Sequence, residues 1–162
     1  MTTDTAPRIS CAFDAGAIEV VRCADPADIA VNLRADSHAE FRQWFHFRVR
    51  GALGLPLALR FVNAGACTYV DGWRDYRVVA SYDRRRWFRI ATTFDGSVLT
   101  ATHRPERDSV YYAYFEPYPE ERHLELLGRI DASPRARVSR LGTSVEGRDI
   151  DLRVSIVPTL HG

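Results

Sequence analysis

The stretch Gln43–Arg50 constrains the fold most. Its side chains alternate without a break: Trp44, His46, Arg48 and Arg50 point one way, Phe45, Phe47 and Val49 the other. A period of two with large apolar residues on one side is a strand that presses one face into a core. Similar short runs recur at intervals of about eight to twelve residues, separated by turn residues. They are Ile18–Arg22, Ile29–Arg34, Leu57–Val62, Arg77–Tyr82, Arg86–Thr92, Val98–Thr102 and Val110–Phe115, rich in β-branched and aromatic side chains. Ile29–Arg34 also alternates and reads as a half-buried strand. The turn Gly51–Gly54 makes Leu57–Val62 the expected hairpin partner of Gln43–Arg50. Together these runs predict a mainly β chain, an antiparallel β-sandwich of about 7–9 strands, spanning residues 8–116.

The rhythm changes at Pro117-Tyr118-Pro119. Leu124, Leu127 and Ile130 repeat at helical spacing with Leu126 beside them, and Glu120 and Glu121 suit a helix N-terminus. Pro119 is expected at the first helical position, where a missing N–H costs nothing. The helix stops before Ser133-Pro134. Ala136–Leu141 and Asp149–Ile156, joined by Ser-Val-Glu-Gly-Arg, then predict a β-hairpin. Residues 117–162 therefore read as one helix and a hairpin, the opening of an α/β unit rather than more sandwich. Residues Met1–Pro7 are polar and expected to fray.

Charge excludes several partners. The chain carries 22 basic and 21 acidic residues among its 162, a net charge of +1. A nucleic-acid binder or a polybasic membrane-surface protein needs a basic excess, so neither nucleic acid nor membrane is an expected partner. Every basic residue is arginine, which leaves no Schiff-base or phosphate-loop lysine. The longest uncharged stretches, Gly51–Leu59 and Phe61–Val70, are too short to span a bilayer. No signal-like apolar segment opens the chain. Cys11, Cys23 and Cys67 fit no zinc or redox spacing and read as reduced thiols. The expected location is the cytoplasm.

Motifs with possible chemistry are few. His103-Arg104-Pro105-Glu106 is an H-x-x-E pair, which can hold zinc when a third protein ligand and an open water position complete the site. Here the pair lies between two strands with proline inside it, and the later histidines are His123, on the helix, and His161, at the end. It reads as a surface turn. His38-Ala39-Glu40 lacks the Pro-Cys-x-x-Cys that a deaminase would need. His46 reads as a satisfied sheet histidine. No G-x-S-x-G is present. Arg84-Arg85-Arg86 beside Trp87 reads as a solvated hairpin loop. Tyr111, Tyr112, Tyr114, Phe115 and Tyr118 form an aromatic run that suits either a core or an interface.

Taken in order, several segments resemble one family. Phe13-Asp14-Ala15-Gly16 precedes Ile18-Glu19-Val20-Val21, and Gln43-Trp44-Phe45-His46-Phe47 and Asn63-Ala64-Gly65 follow. Then come Ser81-Tyr82-Asp83 with Trp87-Phe88-Arg89, and Asp108–Phe115 leading to Pro117-Tyr118 and Glu121-Arg122-His123. Last is the hairpin Leu141–Ile150 around Glu146-Gly147-Arg148. This set, over residues 13–152, resembles the bacterial cytosolic zinc carboxypeptidases, relatives of the tubulin-deglutamylating enzymes. The sequence departs from the family at Pro119, where Ser or Thr is usual, and along Arg153–Gly162.

The resemblance implies an N-terminal β-sandwich ahead of a catalytic α/β domain, with residues 117–162 as the truncated start of that domain. It places His103 and Glu106 in the sandwich, away from the metal site. The family's zinc ligands and catalytic glutamate match no position here, so no catalytic or metal-binding residue is assigned. Zinc is expected in the full-length enzyme and no cofactor in this chain. The resemblance also implies removal of C-terminal residues from peptides or proteins, acidic ones by analogy, with this fragment non-catalytic. The expected partner is the missing catalytic domain in cis, across an interface of Tyr112, Tyr114, Pro117 and Tyr118. Self-association through the exposed C-terminal segment is a further expectation. Two alternatives stand beside it: a stand-alone β-sandwich module binding protein or carbohydrate, and a small zinc hydrolase using His103 and Glu106.

Overall fold

In the computed structural model, which describes residues 6–155, ten strands build two five-stranded sheets over one core. The first sheet has β1 (Arg8–Ser10) at one edge, then β4 (His46–Arg50), β10 (Val110–Ala113), β6 (Val79–Ser81) and β7 (Phe88–Arg89). The second runs β2 (Glu19–Arg22), β3 (Ile29–Asn32), β5 (Leu57–Phe61), β9 (Leu99–His103) and β8 (Ala91–Phe94). The number exceeds the expected range because short edge pieces count as strands: β1 has three residues and β7 two.

The alternation of Gln43–Arg50 does what its period demands. Phe45, Phe47 and Val49 are fully buried between the sheets. They meet Leu57, Leu59 and Phe61 from the opposite sheet, the Phe45 and Phe61 ring centroids lying 4.5 Å apart. Close-packed aromatic and aliphatic side chains of this kind supply most of the stabilisation of a sandwich.

Three local expectations change. First, β4 and β5 are not a hairpin. β4 pairs with β1 and β10, whereas β5 pairs with β3 and β9, so Gly51–Gly54 carries the chain from one sheet to the other. Asp108 and Pro105 hold that crossing, taking bonds from the Gly51, Ala52 and Gly54 amides. Two inward faces in sequence can serve two facing sheets as readily as one hairpin, and periodicity does not separate the cases. Second, β3 and β5 are parallel, the one parallel pair among the described strands. Ile29, Ala30 and Val31 are all buried, so β3 is not half-buried. Third, Arg86–Thr92 is two strands: β7 belongs to the first sheet and β8 to the second, with buried Ile90 at the corner donating its N–H to Val78.

The Asn63-Ala64-Gly65 segment is fixed by its side chains. The Asn63 carboxamide accepts from the Leu33 N–H and donates to the Leu33 carbonyl, at 2.9 and 3.0 Å. The Ala64 carbonyl accepts from the Trp73 indole at 3.0 Å. A Cβ at Gly65 would come within 2.9 Å of the Gly96 carbonyl oxygen, so only glycine fits without moving backbone.

The chain divides into two compact units, 1–117 and 118–162. The second unit contains α1 (Glu120–Asp131), β11 (Ala136–Thr143) and β12 (Asp149–Ser155). Pro119 precedes the helix rather than opening it: its backbone is extended, and its carbonyl accepts from the Arg122 and His123 amides. The proline has no side-chain acceptor to cap the helix, so its carbonyl alone starts the ladder. β11 and β12 pair antiparallel with a bulge at Arg140–Gly142. His123 on the helix reaches Asp151 at 3.0 Å. Leu141, Ile150, Leu152 and Val154 stay exposed. Residues 1–5, Ile156 and His161 lie outside the described residues.

Candidate functional site

Two polar clusters interrupt the apolar logic of the sandwich. The first is inside it. The His103 ring at the end of β9 contacts Tyr112 of β10, Nδ1 lying 2.8 Å from the Tyr112 hydroxyl. Its Nε2 lies 3.4 Å from the Tyr82 hydroxyl, which itself accepts the Glu106 N–H at 3.0 Å. Burial lowers the His103 pKa, opposed by the nearby Glu106 carboxylate. With both ring nitrogens against tyrosine hydroxyls, His103 and Glu106 do not make a zinc site. No three His, Cys, Asp or Glu groups assemble into one among the described residues. The geometry instead locks the two sheets together. Tyr112→Phe strips the buried Nδ1 of its partner and should lower unfolding free energy by about 1–3 kcal/mol, read from urea melts at pH 7.

The second cluster lies on the outer face of the first sheet. His46 and Arg48 project outward from β4, and Tyr111 stands opposite Arg48 on β10. Around His46 stand the rings of Phe13, Trp44, Trp87 and Tyr111, with centroids 4.9 to 6.3 Å away. His46 is only 2% exposed, and neither ring nitrogen has a hydrogen-bond partner. The neighbouring Ala15 carbonyl is taken by the Trp44 indole at 2.9 Å. The reading of a satisfied sheet histidine is corrected in part: four aromatic rings enclose it, while the Ala15 backbone and the Asp14 carboxylate lie near enough to favour its charged form. Burial, reinforced by the Arg84 guanidinium, pushes its pKa down to about 4.

The turn that supplies Phe13 is tightly folded. Ala15 has φ +60°, and a Cβ on Gly16 would sit 2.0 Å from the Cys11 carbonyl oxygen. The Arg84–Arg86 loop is also built rather than loose. Ser81 Oγ accepts the Arg84 N–H, and Asp83 accepts those of Arg85 and Arg86, each at 2.8 Å. Those amides hold the Asp83 carboxyl below its usual range.

The aromatic run splits by role. Tyr112 is 0% exposed and belongs to the sandwich core, leaving no area for another domain to cover. Tyr114 is half-buried and packs on Trp73 and Tyr76, the Tyr76 hydroxyl donating to the Tyr114 carbonyl. Phe115 is 54% exposed and stacks on Trp44 at 5.0 Å. Pro117 is buried and Tyr118 is 53% exposed. Sequence reasoning did not join Phe13, Trp44, Trp87 and Tyr111 into one cluster. The available signal was that each lies in a short segment carrying the family resemblance.

The chain is thus a two-sheet β-sandwich followed in sequence by one helix and a two-stranded hairpin. Residues 9–115 match the family described as cytosolic carboxypeptidase N-terminal domain, and the chain belongs to it. A metallo-carboxypeptidase from Burkholderia cenocepacia superposes with a TM-score of 0.92 at 50% identity, covering 96% of this chain and 41% of that one. A Pseudomonas aeruginosa metallo-carboxypeptidase, solved with (2-guanidinoethylmercapto)succinic acid, gives 0.84 at 42% identity, covering 90% of this chain and 39% of that one. An uncharacterised Zymomonas mobilis protein is 36% identical over 144 residues, which are 89% of this chain and 38% of that protein. The chain thus spans about two-fifths of the length of these relatives. No helix among the described residues is long and apolar enough to cross a membrane.

Proposed function

We propose that this chain supplies the N-terminal, non-catalytic part of a zinc carboxypeptidase that works in the cytoplasm and removes C-terminal residues from peptides or proteins. The superposition of 96% of the chain on a metallo-carboxypeptidase carries this reading. The second unit supports it. A two-stranded hairpin with a row of exposed apolar residues is marginal alone and suits the edge of a larger sheet. A self-contained binding module has no use for it. In this reading the zinc ligands lie in the part of the relatives that this chain does not cover, since both ring nitrogens of His103 face tyrosine hydroxyls.

The partner is the catalytic domain in cis. Half-buried Tyr114 and exposed Phe115 and Tyr118 are the proposed contact region, without Tyr112 and Pro117, which are already buried. The hairpin face of Leu141, Ile150, Leu152 and Val154 is the proposed route to self-association when nothing covers it. The test is a chimera in which residues 6–155 replace the matching segment of the Burkholderia cenocepacia enzyme. The chimera should hydrolyse C-terminal peptide bonds and sediment without the self-association proposed for the isolated chain. A soluble, zinc-loaded chimera without peptidase activity overturns the proposal.

A further inference from the structure

The short helical turn Val70–Trp73, the residues after it and the end of β8 line an open cleft of about 520 Å³. That volume is usual for a small-molecule site. Both walls are held from behind. The Trp73 indole donates to the Ala64 carbonyl, and the Tyr76 hydroxyl donates to the Tyr114 carbonyl. Thr92 Oγ1 accepts the Val78 N–H, and Asp95 accepts the Ser97 and Val98 amides just beyond the strand. Walls fixed in this way let a ligand bind without ordering them first. Trp73 and Tyr76 pack on each other and on Tyr114, whereas half-buried Phe94 has no ring against it among the described residues. Two aspartates and one arginine stand at the rim. Asp71 pairs with Arg74 at 3.5 Å, and both are exposed. Asp75 has no hydrogen-bond or ion-pair partner among the described residues, and its φ of +57° is one that few residues other than glycine adopt.

A ligand for such a cleft needs one apolar face and polar groups that both donate and accept. A polyanion would meet two aspartates, and a polycation would meet Arg74. A wholly apolar ligand would strip the Asp75 carboxylate of water without replacing its hydrogen bonds. We propose that the cleft is a binding site for a neutral sugar of one or two rings. The C–H face of a pyranose lies on Phe94, its weakly positive hydrogens against the negative face of the aromatic ring. Sugar hydroxyls donate to Asp75 in charge-assisted hydrogen bonds. Two adjacent hydroxyls bridge Asp71 and Arg74, one donating and the other accepting. All of these residues belong to the sandwich, so the inference stands or falls separately from the enzyme reading.

Amide NMR spectra of the 162-residue chain, titrated separately with maltose, cellobiose and N,N′-diacetylchitobiose, provide the test. At least one of these sugars should bind with a Kd of about 10 mM or tighter. The amides of residues 70–76 and 92–96 should shift most. Asp75→Gly should weaken that binding by at least about tenfold. Glycine adopts the backbone conformation of Asp75 freely, so this variant keeps the fold. Phe94→Leu, which keeps an apolar side chain and loses the ring face, should weaken binding by at least about threefold. Arg50→Gln, at the exposed end of β4 in the other sheet, should bind as the parent does. No shift with any of the three sugars, undiminished binding by the folded Asp75→Gly variant, or tighter binding of spermidine or citrate at the same amides would each overturn the proposal.

Discussion

Phe45→Ala should lower unfolding free energy by about 3–5 kcal/mol, enough to bring a domain of ordinary stability close to unfolding at room temperature. Phe45 is fully buried and touches three aromatic rings, Phe61 at 4.5 Å, Tyr114 at 6.1 Å and Phe47 at 6.3 Å. It links both sheets to the aromatic end of the sandwich, so no neighbour on one sheet can collapse into the space without leaving the other. Urea unfolding followed by tryptophan fluorescence measures the loss. A change below about 1 kcal/mol would mean that the two sheets close over the site and that the core is less rigidly packed than described.

The second large effect is on pH dependence. In the unfolded chain His46 titrates at its ordinary value of 6.5, and in the folded protein at about 4. Above pH 7 it is neutral in both states and contributes nothing. As pH falls from 6.5 towards 4, the unfolded chain takes up the proton first, and folding stability is lost progressively. Below about 4 both states carry the proton and the loss stays constant, at about 3 kcal/mol. His103 adds a loss of the same sign. Asp28, Asp83 and Asp95, whose carboxyls are held below 3.8 by arginines or backbone amides, lose their stabilising contribution only at lower pH. The window between pH 4 and 6.5 therefore belongs to the histidines. His46→Phe, which keeps a ring in the aromatic cage, should remove most of the slope there. An unchanged slope would show that the caged imidazole finds an acceptor in solution.

Much of the sandwich was legible because its strands announce themselves two residues at a time. Gln43–Arg50 gave the inward and outward faces of β4 correctly, and the helix at Glu120–Asp131 followed from its leucines. Sheet membership was not legible. Whether β5 returns beside β4 or crosses to the facing sheet depends on long-range partners such as Asp108, which local pattern does not contain. The parallel pairing of β3 with β5 is hidden for the same reason. The aromatic enclosure of His46 was not legible because an outward position on a sheet usually means a polar environment. Here Phe13, brought in by a turn thirty-odd residues earlier, closes over it. The His103–Tyr112 bond likewise needs the facing of two strands that only the fold supplies.

The strand order of the first sheet has a consequence for how the chain folds. β4 lies between β1 and β10, and β10 begins only at Val110. On a ribosome, synthesised from the N-terminus, β4 must wait some sixty residues for its second neighbour while Phe45 and Phe47 have nowhere complete to go. Such distant pairings make closure slow compared with the nearby hairpin of β11 and β12. Until Tyr112 emerges, the nascent sandwich presents an unpaired, aromatic strand edge, which is the surface a chaperone would be needed to shield.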